Sequence, residues 1–368
     1  MSVLLTGATG FLGSRLLLEL VTTRQREVIV LGRGASSSLR PRVLAALEAA
    51  AGRSIDAQAQ GRLRCVSGDI TQPWLGLTPA VYGRLVEQID ALWHCAGDIA
   101  LTGERERLFR ANVQGTENVL EFAALMAPRS RLVHLSSVAV AGGRRSGEVA
   151  EDDLTDAHGF ETHYDESKYR AEVLVRDWAR RVGRPAIVLR PSIVASDARL
   201  SEGAPGHPLK VLGEMIDVVA RGSAPGISAP RGEGEGLRLR LRVPADATFN
   251  IVPDTYATEA MLRIGHDSEH DGCTARAFHI VHPVDTPMGM LTQVIEARYP
   301  GLRLECVDSL PDPTPVERFV AAHLPGFLSY CHHMRSYNRA GALSLTGELA
   351  APAIIEPAYL RGALGFSR

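Results

Sequence analysis

Short apolar runs alternate along this chain with longer stretches in which apolar residues return every three or four positions. The runs are Val3–Leu5, Glu27–Leu31, Leu63–Val66, Ala91–His94, Leu132–Leu135 and Ala186–Leu189, with a candidate seventh at Ala277–Val281. The stretches between them include Phe11–Thr22, Arg105–Met126 and Tyr169–Val182. A run that is apolar nearly throughout suits a strand covered on both faces, whereas the wider spacing suits a helix with one buried stripe. The pattern predicts an α/β protein built on a doubly wound parallel sheet with helices on both sides.

After Arg190-Pro191 the texture changes. Ser201–Pro208 and Gly222–Gly236 are rich in Gly, Pro and Ser and read as loops, while Leu237–Val243 alternates Leu with Arg, as a strand with one polar face would. Thr255–Gly265 reads as a helix returning to the main domain, Pro287–Arg298 as another helix, and Asp308–Pro315 as a Pro-broken segment before a mixed tail. The division expected is a nucleotide-binding domain over residues 1–194, completed by about 246–284, with 195–245 and 285–368 forming a smaller mixed substrate-binding cap. No internal repeat or low-complexity tract interrupts this plan.

A chain of 368 residues, 45% hydrophobic, is long enough to bury such a core. Lys+Arg total 40 against 42 Asp+Glu, so the overall charge does not suggest a nucleic-acid partner. Arginines do cluster at 129/131, 144/145, 180/181/184 and 238/240/242. Solvated faces are the plain account of these clusters; phosphates or an acidic carrier are the sharper alternative for 144–145 and 238–242. Cys65, Cys95, Cys273, Cys306 and Cys331 have neither zinc nor disulfide spacing, which suits reduced thiols in a cytoplasmic protein. No metal is expected at His332-His333 beside Cys331, because adjacent residues rarely chelate one ion. The apolar start Val3-Leu4-Leu5 leads straight into a glycine loop, so neither a signal peptide nor an integral membrane segment is expected.

That loop, Thr6-Gly7-Ala8-Thr9-Gly10-Phe11-Leu12-Gly13, lies between the first strand and the first helix. Gly7, Gly10 and Gly13 follow a GxxGxxG spacing, and a tight strand–helix turn would account for them structurally. The functional reading is a Rossmann-type dinucleotide loop, in which backbone amides from Thr9 to Leu12 approach a pyrophosphate at the positive end of the helix. The second strand ends Val30-Leu31-Gly32-Arg33, with an arginine where an NAD site commonly has an acid. Arg33, with Arg42 as a second donor, therefore points to the 2′-phosphate of NADPH/NADP+. Asp69-Ile70 after the third strand would lie near the adenine, and Cys95-Ala96-Gly97 after the fourth would pass close to the dinucleotide.

Tyr164 and Lys168 stand four residues apart, so on a helix they share a face, and an ammonium there would favour the ionised phenol. Ser137, twenty-seven residues before Tyr164, closes an apolar run. In the reductive direction Tyr164 would donate a proton to the oxygen that gains charge, and Ser137 would polarise the same oxygen. Lys168 would also hold the nicotinamide ribose. Asn112, on a helix, would hold a water or a backbone group behind Lys168. A Tyr/Lys pair at this spacing is also common on wet helix surfaces; the ordered set is what suggests hydride transfer.

The same segments resemble an extended short-chain dehydrogenase/reductase, and within it most closely the fatty acyl-CoA reductase and carrier-bound thioester reductase group. The wording that carries the likeness is Thr6–Gly13, Leu31-Gly32-Arg33, Gly68-Asp69-Ile70 with Pro73–Leu77, His94-Cys95-Ala96, Asn112–Thr116, Val133–Val138, Tyr164–Lys168 with Ala171-Glu172, and Leu189-Arg190-Pro191-Ser192. Asn250–Asp254 resembles the family's return to the core. The superfamily likeness covers most of residues 1–265; placement in the acyl-reductase group rests mainly on Pro73–Leu77, Arg33 and Val133–Val138. Ser137 stands where that group often has threonine. The resemblance implies cofactor contacts at Pro191 and Ser192, and NADPH-dependent reduction of an acyl-CoA, or of an acyl group on a phosphopantetheinyl carrier protein, to an aldehyde or on to an alcohol. Three rivals share its residues: a ketone or secondary-alcohol oxidoreductase, a nucleotide-sugar epimerase or dehydratase, and a scaffold that binds NADP without turnover. Val138-Ala139-Val140 lacks the acid/base pair that dehydration commonly adds.

Overall fold

The computed structural model describes residues 2–200, 203–221, 236–266 and 274–366; Cys273 and most of the glycine-rich run at 222–236 lie outside these. Seven strands form one sheet: β1 (Ser2–Thr6), β2 (Glu27–Gly32), β3 (Leu63–Ser67), β4 (Ala91–His94), β5 (Arg131–Leu135), β6 (Ala186–Pro191) and β7 (Ala275–Ile280). Their order across the sheet is β3-β2-β1-β4-β5-β6-β7, every neighbouring pair parallel. The order reverses between β1 and β4, where ligands of such sheets bind beyond the carboxyl ends of the strands. This is a Rossmann-type sheet, and β4 and β6 are buried along their whole length. β3 sits at the edge and keeps only Leu63 fully buried, consistent with its polar Arg64 and Ser67.

Helices α1 (Phe11–Val21), α2 (Ser36–Ala51), α3 (Gly115–Leu125), α4 (His163–Val182) and α5 (Asp254–His266) cover the sheet. α4 begins six residues before the apolar periodicity does, because Thr162 and Asp165 form a reciprocal capping box; Gly183, at φ 68°, ends it. The stretch expected as one helix over 105–126 contains a π turn, Arg110–Gln114, closed by the Gly115 N–H on the Arg110 carbonyl.

A second apolar cluster gathers Ala195, Leu209, Leu212, Leu239, Phe249, Met288, Leu291, Leu302, Val320 and Leu360. Leu237–Arg242 is a strand there, parallel to Leu302–Val307. Leu239 turns into this core while Arg238 and Arg242 face solvent, as the alternation predicts. Two joins tie the later chain to the sheet. The helix Ala340–Thr346 puts Ala342 into the sheet core, and strand Met334–Tyr337 runs parallel to Ser146–Val149. From that strand Arg335, 5% exposed, donates to the Gly142 and Arg144 carbonyls at 2.7 and 3.0 Å.

Candidate active site

Gly7 leaves β1 at φ 77°, and a Cβ there would lie 2.6 Å from the Ala96 backbone nitrogen. A Cβ on Gly13 would meet the Gly7 carbonyl at 2.1 Å. The loop is thus tight enough to exclude side chains at both ends. Thr9 and Gly10 stay exposed, with Phe11 and Leu12 half-buried behind them. No side chain caps α1, and its first turn carries no acid, so its free N–H groups and positive end suit an anion. Phe11 lies between the Arg15 guanidinium, 3.6 Å from its ring centroid, and the His207 ring at 4.9 Å.

At the end of β2 Arg33 is exposed and forms no ion pair among the described residues. Arg42 folds back onto the Arg33 carbonyl and lies 3.3 Å from the Ser38 carbonyl, so two of its five N–H donors serve the loop itself. Asp69 accepts the Thr71 N–H and hydroxyl, both at 2.9 Å, and the Ile70 carbonyl accepts the Asn118 amide at 2.7 Å. The turn that follows holds Trp74 and Leu75 at φ 59° and 58°, two non-glycine residues in the left-handed region. Ala96 donates its N–H to the Thr6 hydroxyl at 3.1 Å, while burial pushes the neighbouring Cys95 thiol up to about 12. Beyond Pro191, the Ser192 hydroxyl is buried with no hydrogen-bond partner among the described residues, which leaves it free for a bound group. The positive φ at Gly7, the uncapped helix and the acid-free end of β2 fit a nicotinamide dinucleotide.

Ser137 and Tyr164 meet just beyond the carboxyl end of β5, and the Ala139 N–H donates to the Ser137 hydroxyl at 3.1 Å. Burial pushes the phenol up to about 12, against the lowering influence of the Ser137 hydroxyl and with help from Asp165. Lys168 is not among the groups that set the phenol's affinity for its proton here. The ammonium instead donates to the Leu135 carbonyl at 2.6 Å, and burial pulls it down to about 8, opposed by Glu172 and Cys95. The phenol therefore keeps its proton at neutral pH, as an acid must. Asn112, in the π turn, donates to the Asp98 carbonyl and to the Ser167 hydroxyl, each at 2.9 Å, and accepts the Asp98 N–H at 2.7 Å. It holds a backbone group, as expected, but that group is the loop after β4.

Three of the arginines in the groups at 144–145 and 238–242 are engaged with carboxylates. Arg144 pairs with Asp153, Arg238 with Glu305 and Arg240 with Glu317, at 2.9, 2.6 and 2.8 Å. Composition also missed a buried polar layer beneath the site. His94 lies 2.9 Å from the Thr6 hydroxyl and 3.1 Å from that of Thr116, and burial holds its imidazole neutral, down to about 3.

Fold and site together define a nicotinamide-dinucleotide-dependent oxidoreductase of the extended short-chain kind. The chain belongs to the Male sterility protein family of NAD-binding domains, whose model matches residues 5–261. It is similar to the isonitrile lipopeptide synthase of Streptomyces coeruleorubidus, 34% identical over 51% of this chain and 13% of that protein. It is also similar to the carboxylic acid reductase of Segniliparus rugosus, 26% identical over 83% of this chain and 26% of that protein. The chain thus spans about a quarter or less of these relatives. Among solved structures, the terminal R domain of the myxalamid PKS-NRPS pathway superposes with a TM-score of 0.76 at 24% identity, covering 99% of this chain and 89% of that one. No described helix is long and apolar enough to cross a membrane.

Proposed function

We propose that this protein reduces an acyl thioester, carried on coenzyme A or on a phosphopantetheinyl carrier protein, to an aldehyde with NADPH. The observation that carries the chemistry is the placement of the Tyr164 phenol against Ser137, one helical turn before the anchored Lys168. The names of the relatives, a carboxylic acid reductase and a lipopeptide synthase, support an acyl substrate.

In this reading Gly7, Thr9, Gly10, Phe11, Leu12 and Gly13 hold the pyrophosphate and Arg33 binds the 2′-phosphate, with Arg42 as second donor. Asp69, Ile70, Cys95, Ala96 and Gly97 line the dinucleotide, and Pro191 and Ser192 close its nicotinamide end. The bound cofactor supplies a hydride to the thioester carbon. Ser137 donates a hydrogen bond to the carbonyl oxygen, and Tyr164 gives it a proton as charge develops. Lys168 then offsets the phenolate left behind, and Asn112 holds the helix beneath it. Collapse of the hemithioacetal expels the thiol and leaves the aldehyde. Residues 1–194 and about 246–284 make the cofactor domain in this reading, and the cluster around Leu212, Leu239 and Leu291 forms the cap over the substrate.

Incubating purified protein with NADPH and a panel of acyl-CoAs, carrier-loaded thioesters, aldehydes and ketones, followed by mass spectrometry, tests it. An aldehyde formed from a thioester is expected. Turnover confined to ketones would overturn the thioester assignment, and NADPH binding without any hydride transfer would overturn the enzyme.

A further inference from the structure

One fully buried acid beside this site has no part in the reaction just described. Glu172 lies on α4 one turn beyond Lys168, and neither it nor its partner Arg190 on β6 exposes any side-chain surface. Arg190 grips the carboxylate through two contacts, 2.6 and 3.0 Å, and Arg176 adds two more at 2.9 and 3.1 Å. Further Arg190 contacts reach the carbonyls of Glu151 and Asp153, at 3.3 and 2.8 Å. The Ser136 hydroxyl donates to the same carboxylate at 2.8 Å, and the Ser136 N–H to the Leu189 carbonyl at 2.7 Å. The residue just before Ser137 is therefore fixed twice, by its backbone to β6 and by its side chain to α4.

A buried ion pair is weak evidence for stability, since apolar replacements are often as stable. What this cluster does, through Ser136, is tie the segment that leads from β5 into Ser137 to the helix that carries Tyr164 and Lys168. We propose that Glu172 is a positioning residue for the reduction: through Ser136 it fixes Ser137 beside Tyr164, and it is the anion that faces Lys168. This rests on the reductase reading above.

The titratable groups set around Lys168 are His94 from β4 and Cys95 just after it, His134 from β5, and Tyr164 and Glu172 from its own helix. Burial holds both imidazoles neutral and both the thiol and the phenol protonated. Burial would also raise the Glu172 carboxyl, but the guanidiniums of Arg190 and Arg176, with Ser136, hold it at about 2. Glu172 is thus the charged member of this set at neutral pH, and removing its charge lets burial pull Lys168 lower still.

Two variants separate the two effects. With Glu172→Gln, the alkaline fall of kcat/KM at saturating NADPH should move to lower pH by about one unit. Ser136→Ala should leave that limb in place while kcat falls roughly tenfold through misplacement of Ser137, with NADPH Kd unchanged. Should Glu172→Gln fail to fold around an unpaired arginine, Glu172→Gln with Arg190→Met removes both charges and should show the same shift. Acetylation of Lys168 by acetic anhydride against pH, read by peptide mass spectrometry, reports the shift without turnover. Wild-type protein that reduces no thioester would sink the reductase reading and leave the acetylation experiment standing. Folded variants with wild-type kcat and an unmoved acetylation midpoint would overturn the role of Glu172.

Discussion

At the end of β2, Arg33 is exposed and pairs with no carboxylate among the described residues, whereas in the second apolar cluster Arg238 lies on Glu305 and Arg240 on Glu317. In the sequence these arginines look alike. In the structure one stands without an ionic partner among the described residues and the others are already neutralised, one against a Glu317 side chain that is 2% exposed. The contrast extends to the rest of each region. The sheet ends gather a phenol, an ammonium and an uncapped helix, while in the later segment Arg238 and Arg240 are each held by a glutamate. Substitutions at the sheet ends should therefore change kinetics and leave stability alone, and those in the later segment should do the reverse.

The largest effect is expected from Tyr164→Phe, which removes the proton donor: kcat should fall by about 10²–10⁴-fold with NADPH affinity intact. Near-normal turnover would mean that the donor is another group. Next comes Arg33→Asp. It should weaken NADPH by about a hundredfold, on the scale of a lost charge-assisted contact, and barely touch NADH. Equal losses for both cofactors, by fluorescence titration, would remove the 2′-phosphate assignment. A smaller and graded effect concerns pH. Lys168, drawn down to about 8, loses its charge as pH rises through that value, so wild-type kcat/KM should decline above about 8. A profile flat to pH 10 would contradict this. In the later segment, Arg240 and backbone N–H groups outweigh burial at Glu317 and hold its carboxyl at about 2, so its stabilisation is complete above the usual carboxylate range and lost as pH falls towards 2. Glu317→Gln should lower the thermal midpoint at pH 7, narrow the gap to wild type in acid, and leave NADPH Kd unchanged. Arg238→Ala, at an exposed pair, should change neither quantity measurably.

The sheet was legible because strands buried on both faces have little choice but to be apolar; Ala91–His94 coincides with β4 residue for residue. The start of α4 was harder to see, since its first turn is a polar capping box rather than an apolar stripe. Tyr164, Lys168 and Ser137 stand out by type and order, and the structure brings the three to one strand end. Which way the phenol's affinity for its proton moves was not legible, because it depends on burial and on where the ammonium points. Nor was the Ser136–Glu172–Arg190 contact, although a lone arginine inside the apolar strand Ala186–Pro191 hinted at a buried partner. The pairing of Ser146–Val149 with Met334–Tyr337 left no trace in either segment, both being largely polar and far apart in the chain.

That last pairing has a consequence for how the molecule is made. The loop after Ser137 is pinned by Arg335 and its strand, so during synthesis it lacks its anchor until the chain beyond residue 337 has left the ribosome. Contacts of such range slow folding. They also mean that exchanging the C-terminal segment to alter substrate choice would rewire the loop at Gly142–Arg144, so grafts should carry both partners together.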